Sequence, residues 1–341
     1  MQVQVPDAEA LAVRILRGER SAVASGLNLL DNALPAAREC ATALLTALAS
    51  RRWQDGDAQP NAQRDTHLIG ITGPPGAGKS SLLAALIREW RGTGHTVAVL
   101  AVDPSSRPEA GGGALLGDRI RIKRSEADDG LFIRSLASRH QLGGLANEVW
   151  PMARLLLACF DRVVIETVGV GQTEIDIAEI ADTVCYVAQP ASGDTIQYLK
   201  SGIMEIPDVF SINKADLGGA AHKTAAEVGR IASSKSAHPD RSEGWDYPVC
   251  LVSATHNTGI AELAAHLERH HAYLTETAQL MARRHRHQAA WLIRLLRDDF
   301  GHFGLELVGG RDALLRRFDQ TAGDALTDYA QLRQEILSRF H

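Results

Sequence analysis

Eight consecutive residues, Gly73-Pro74-Pro75-Gly76-Ala77-Gly78-Lys79-Ser80, match the pattern G-x-x-x-x-G-K-[ST] in full. Glycines at that spacing let backbone N–H groups turn inward around an anion, and a helix opening at the lysine adds the positive end of its dipole. Lys79 is then placed to reach the β- and γ-phosphates of a nucleoside triphosphate, and the Ser80 hydroxyl to ligate Mg²⁺. The apolar run HLIGIT (67–72) precedes the loop and SLLAALIREW follows it, which is the strand–loop–helix context the motif requires.

Two further clusters bear on the base. Asn213-Lys214-Ala215-Asp216 follow the run DVFSI, and Ser253-Ala254 follow YPVCLV. A carboxylate at Asp216 can accept from guanine N1–H and its exocyclic amine, a donor pair that adenine lacks. A wrong base would leave the carboxylate unpaired, so GTP is expected over ATP. A backbone N–H of the Ser253-Ala254 pair can meet guanine O6.

Other residues suit the γ-phosphate and its metal. Glu166 follows RVVI at the end of a strand, where a carboxylate can serve Mg²⁺ directly or through water, and the Gly169 N–H can contact the γ-phosphate. Asp103, after VAVLAV, is a second candidate for the metal, against a plain turn-initiating Asp before Pro104. The segments GGGALLGDRIRI (111–122) and GVGQTEIDIAEI (169–180) read as loops able to order around a γ-phosphate. Gln172 lies three positions beyond Gly169, and no Gln follows Gly169 directly. Slow intrinsic hydrolysis, stimulated by a partner, is expected.

The elements that must hold these residues form a simple series. HLIGIT, TVAVLAV (96–102), RVVIET (162–167), DTVCYVA (182–188), DVFSIN (208–213) and YPVCLVS (247–253) are apolar on both faces and alternate with helical stretches, with LFIRSL (131–136) as a further candidate strand. That pattern predicts an α/β fold with a doubly wound, mostly parallel sheet. Residues 1–50 read as helical, with one 3.6-spaced run from Leu27 to Ala49, and residues 51–65 as a polar linker or loop. Beyond about 271 only helical patterns follow. The expected organisation is a helical N-terminal extension and linker over 1–60, a nucleotide-binding domain over 61–271 and a helical C-terminal arm over 272–341.

Composition sets outer bounds. The chain has 341 residues, 36 Lys and Arg against 41 Asp and Glu, and a formal charge of −5, which argues against a general nucleic-acid binder. No apolar stretch approaches a membrane span and the N-terminus lacks a secretory pattern, so no membrane partner and a cytoplasmic location are expected. The four cysteines, Cys40, Cys159, Cys185 and Cys250, are scattered in apolar segments and read as buried reduced thiols. His266, His270 and His271 lack a third ligand of convincing spacing, so a solvent-facing helix is preferred over zinc. RRHRH (283–287) reads as solvated surface or a dimer contact, and Trp90, Trp150 and Trp291 as packing residues.

Taken jointly, AVDPSS (101–106), GDRIRI (117–122), FIR (132–134), ETVGVGQ (166–172), GIMEI (202–206) and NKAD (213–216) resemble the MeaB/ArgK/MMAA group of P-loop GTPases, from about His67 to about Ala264. The resemblance implies a homodimeric GTPase with a C-terminal dimerisation arm. Such proteins chaperone adenosylcobalamin-dependent acyl-CoA mutases, docking on the mutase or its cobalamin-binding subunit. GTP binding and hydrolysis gate cofactor delivery and removal, with GTP/GDP and Mg²⁺ as cofactors and no cobalamin held tightly on this chain. Carried over by motif, Gly73 to Ser81 bind phosphate, and Ser80, Asp103 and Glu166 serve the metal. Lys79, Glu166, Gly169 and Gln172 act in catalysis, while Asn213, Lys214, Asp216, Ser253 and Ala254 read guanine.

The segment ASGDTIQYLKSGIMEI (191–206) resembles the group's partner-facing switch. Asp194, Gln197 and Lys200 are retained, whereas Thr195 replaces the usual Glu, and ASRHQLGGLA (137–146) also departs from the group. The target mutase is therefore left open: methylmalonyl-CoA mutase or a relative such as an isobutyryl-, ethylmalonyl- or 2-hydroxyisobutyryl-CoA mutase. The competing readings are a P-loop kinase, which NKAD disfavours, and a metal-insertion GTPase, which would need a Cys or His cluster near the switches.

Overall fold

Seven short strands, each flanked by turn-forming or charged residues, pair side by side to build the frame of the glycine-rich loop. The computed structural model describes residues 6–32, 34–54, 65–103, 128–137, 147–167, 173–190, 206–236, 244–320 and 325–339. Its strands are β1 (His67–Thr72), β2 (Val97–Asp103), β3 (Leu131–Ala137), β4 (Arg162–Thr167), β5 (Thr183–Ala188), β6 (Val209–Ile212) and β7 (Val249–Leu251). The order is β3-β2-β4-β1-β5-β6-β7 and every pairing is parallel. All seven apolar runs thus become strands of one sheet. Every residue of β1, β5 and β6 is buried, as a parallel sheet covered by helices demands.

The helices, in chain order, are α1 (Ala8–Leu16), α2 (Arg20–Leu30), α3 (Pro35–Gln54), α4 (Lys79–Gly92), α5 (Val149–Leu157), α6 (Thr173–Ala178), α7 (Gly219–Ser236), α8 (Ile260–Glu276), α9 (Gln279–Leu307), α10 (Gly310–Gln320) and α11 (Ala325–Arg339). Two compact units result. One comprises residues 66–146 and 160–280 and holds the whole sheet; the other comprises 1–65, 147–159 and 281–341 and is helical among the described residues.

In the sheet unit, Ile69, Ile71, Leu82, Leu86, Val99, Tyr186, Phe210 and Leu267 form part of one buried cluster between strands and helices. The amino-terminal edge of the sheet is pinned by a repeated device: an Asp just before a strand accepts from a backbone N–H of the neighbouring strand. Asp182 takes Leu68 N–H at 2.9 Å, Asp208 takes Val184 N–H at 2.9 Å, and Asp161 takes Thr96 N–H at 2.7 Å. Backbone bonds run back the other way, from Asp182 N–H to Leu68 O and from Asp208 N–H to Val184 O. Each Asp therefore closes a two-sided lock that fixes register.

Beside these locks lies a buried side-chain chain. His67 Nε2 and His270 Nδ1 each lie 2.7 Å from Thr183 Oγ1, His270 Nε2 is 3.4 Å from Asp208 Oδ1, and the His271 ring stacks on His67 at 4.6 Å. This corrects the expectation of a solvent-facing histidine face on α8, because His270 and His271 are 1% and 4% exposed. They are core residues packed against other side chains, not surface groups.

The helical unit departs from expectation in two places. The run from Leu27 to Ala49 is not one helix: α2 ends at Leu30 and α3 begins at Pro35. Asn32 Oδ1 accepts from Leu34 N–H at 3.0 Å, forming a local turn, and proline is tolerated at a helix's first position. The helix then runs on to Gln54, so residues 51–54 of the expected linker are helical and 55–64 lie outside the described residues. Trp150 stacks on Trp291 at 4.3 Å, and Trp291 Nε1 donates to Asn147 O, so both are packing residues as expected. Cys159, Cys185 and Cys250 are buried, whereas Cys40 is only partly so.

Candidate functional site

The loop between β1 and α4 is shaped by glycines that nothing larger can replace. Gly73 has φ 142° and Gly78 φ 86°; a Cβ on the first would strike the Val187 carbonyl, and one on the second the Asn213 amide. Lys79 opens α4 with its side chain buried, and its Nζ donates to Gly73 O at 2.7 Å and Pro74 O at 3.0 Å. The ammonium thus lies across the mouth of the loop, beside the α4 N-terminus. Pro75 and Gly76 are exposed at the loop's tip, and Ala77 is buried beneath it. Ser81 continues the first turn of α4.

Ser80 and Glu166, expected to share a metal, are brought together from α4 and β4. Ser80 Oγ donates to Glu166 Oε1 at 2.6 Å, across 86 residues of chain. Two hard oxygen donors at the phosphate loop suit Mg²⁺, which takes one or two protein oxygens and leaves the rest to water and phosphate. Asp103 ends β2, but its side chain lies outside the described residues, as do Gly169, Gln172, Asp194, Gln197 and Lys200. The segment 169–180, expected as a loop, includes the short helix α6 from Thr173.

The residues expected to read the base converge from the ends of β6 and β7. Asn213 Nδ2 donates to Ala77 O at 2.9 Å, while its Oδ1 accepts from Ala254 N–H at 3.2 Å. One amide thereby joins the phosphate loop to the Ser253-Ala254 turn. Lys214 sits in the left-handed region at φ 59°, and its Nζ donates to Gly76 O and Gln189 Oε1, both at 2.8 Å. Asp216 is exposed, and its Oδ1 accepts from Ser253 Oγ at 2.6 Å. That hydroxyl, above all, holds the Asp216 carboxyl below the usual carboxylate range, with its own backbone N–H and the nearby His256 acting in the same direction.

Two residues here were not anticipated from sequence. Gln189 follows β5 directly and carries the second acceptor for Lys214. His256 Nδ1 lies 3.1 Å from Ser253 Oγ and 3.8 Å from Asp216 Oδ1, beside the expected base-reading carboxylate. Position alone could have flagged Gln189, since it ends a central strand at the edge where ligands of open α/β sheets bind.

A parallel sheet with an intact phosphate loop, and NKAD and SA clusters joined to it by Asn213, defines a P-loop GTPase. The chain belongs to the family described as methylmalonyl Co-A mutase-associated GTPase MeaB, whose model matches residues 23–303. It is 41% identical over 278 residues to a GTPase of Pyrococcus abyssi, covering 81% of this chain and 80% of that one. It is 31% identical to the mitochondrial methylmalonic aciduria type A homolog of Mus musculus, covering 85% of this chain and 69% of the mouse protein. Among solved structures it is similar to LAO/AO transport system kinase, with a TM-score of 0.64 and 26% identity over 94% of this chain and all of that one. Guanine-nucleotide binding and hydrolysis follow from the family.

Proposed function

We propose that the protein is a GTP-hydrolysing chaperone of a cobalamin-dependent acyl-CoA mutase, gating adenosylcobalamin loading, protection and reactivation. The observation that carries this reading is the family match across residues 23–303, which spans both the nucleotide site and much of the helical flanks. The family description pairs this kind of GTPase with methylmalonyl Co-A mutase, and methylmalonyl-CoA mutase or a relative is the target in this reading. The protein acts as a cytoplasmic homodimer joined through its C-terminal helices.

In this reading the loop from Gly73 to Ser81 cradles the phosphates by backbone N–H groups, and Lys79 neutralises charge on the β- and γ-phosphates. Ser80 and Glu166 hold Mg²⁺, with Asp103 completing the set; the ion supplies charge neutralisation at the phosphates. Asp216 accepts from guanine N1–H and its amine, a backbone N–H of the Ser253-Ala254 turn meets O6, and Asn213 and Lys214 hold the two loops against one another. Water adds to the γ-phosphorus and the bond to the β–γ bridging oxygen breaks, giving GDP and phosphate. Gly169 contacts the γ-phosphate and Gln172 orients the water, which leaves turnover slow until the partner, felt through Asp194, Gln197 and Lys200, rearranges them.

Pull-down from native lysate with the protein loaded with a non-hydrolysable GTP analogue tests the reading. Enrichment of a cobalamin-binding mutase subunit, lost in Lys79→Ala, is the expected result. Recovery of no such subunit in either nucleotide state overturns it.

A further inference from the structure

We infer that Gln189 is a positioning residue for guanine recognition, acting through Lys214. The inference rests on the reading of Asp216 as the base contact. Lys214 has a backbone conformation that a β-carbon disfavours, with φ 59°, and it opens the short turn Ala215–Leu217 that carries Asp216. Something must hold that turn in place. Its ammonium reaches back over the phosphate loop and donates to two acceptors at 2.8 Å, Gly76 O and Gln189 Oε1. An ammonium has donors only, so the amide oxygen of Gln189, not its nitrogen, faces Lys214.

The connectivity explains why this contact matters. Gln189 directly follows β5, Lys214 lies two residues beyond β6 and Gly76 belongs to the loop after β1, three neighbouring strands in the sheet. The Gly76 carbonyl sits on the exposed tip of a glycine loop, a soft anchor. Gln189 is only partly exposed and follows directly on the fully buried strand β5, which makes it the firm one. With the ammonium bound at both points, the aliphatic stem of Lys214 is fixed in line with the base-reading turn, and Asp216 needs less ordering when guanine arrives. A hydrogen bond to a charged donor, in a half-buried setting, is strong enough to be felt in nucleotide release.

The test measures fluorescent GDP affinity and release, and steady-state GTP hydrolysis, on the full chain. Gln189→Met keeps the side chain's length and removes the acceptor; Gln189→Glu keeps an acceptor and removes the amide donors. Release should speed up roughly 5- to 20-fold in Gln189→Met, and stay within about twofold of wild type in Gln189→Glu. KM for GTP should rise in parallel with kcat unchanged within about twofold, a split that loss of folded protein does not produce. In Lys214→Ala the further change Gln189→Met should add nothing, because its partner is already gone.

Equal loosening by the Met and Glu variants, or additive effects on the Lys214→Ala background, would overturn the inference. So would unchanged release in Gln189→Met while Asp216→Ala binds GDP poorly. If Asp216→Ala also binds normally, the base-contact reading itself fails, and the inference falls with it.

Discussion

The two edges of the sheet handle polarity in opposite ways. At the carboxyl ends of the strands lie the glycine-rich turn after β1 and the turn after β7, joined by side chains such as Asn213 and Lys214. The turns there use positive φ at Gly73, Gly76, Gly78, Lys214, Asn257 and Gly259. At the amino ends, Asp161, Asp182 and Asp208 close on neighbouring strands, and His67, Thr183 and His270 close on one another. One edge is held by contacts between loops; the other by contacts between neighbouring strands. In the proposed reading, recognition and stability are thereby separated along the strand direction, within one sheet about six residues deep.

That separation can be broken by experiment. Lys79→Ala should weaken GTP and GDP binding at least about 100-fold while shifting the nucleotide-free melting temperature by no more than about 2 °C. Titration with a fluorescent nucleotide and a thermal melt read both numbers, and a large melting shift would mean that the loop is also structural. Asp208→Ala should do the reverse. Losing its carboxylate strips partners from Val184 N–H and His270, so unfolding should cost about 2–4 kcal/mol less, with GDP affinity of the folded protein within about twofold. Comparable losses in stability and affinity in that variant would defeat the comparison.

Smaller effects sharpen it. Thr183→Val keeps the shape but removes the hydroxyl shared by two imidazoles, and denaturant unfolding should register about 1–2 kcal/mol. Ser253→Ala should change GDP affinity little at neutral pH and act on its pH profile. Asp216 is held low chiefly by the Ser253 hydroxyl, so in wild type its charge persists above that depressed value and is lost only as pH falls through it. Without the hydroxyl the carboxyl rises toward its ordinary range, and affinity should begin to fall at a higher pH. Superimposable acid limbs for the two proteins would show that the Ser253 contact does not govern Asp216.

Much of this was readable in the chain. The central strands announced themselves because a strand covered on both faces is apolar throughout, and the phosphate loop because only glycines fit its backbone. The cluster of Asn213, Asp216 and Ser253 was legible from position: NKAD and SA lie just beyond the ends of β6 and β7. What escaped notice were contacts made by ordinary residue types at long range. His270 and His271 look like surface residues on a helix until β5 brings Thr183 beneath them and Asp208 lines up beside it. Gln189 has no local pattern at all; it matters because β6 carries Lys214 to the adjacent position. The break after Leu30 was missed because the apolar spacing continues across it, and the turn chemistry of Asn32 before Pro35 outweighs that spacing.

Strand β1, which leads into the phosphate loop, sits in the middle of the sheet with β4 and β5 as its neighbours. On the ribosome it emerges early and must wait for partners that begin 95 and 116 residues after His67, at Arg162 and Thr183. At ordinary synthesis speeds that delay is on the order of ten seconds, and the apolar segment HLIGIT is uncovered throughout. The nascent chain therefore passes through a window in which this apolar strand has been made and its sheet partners have not.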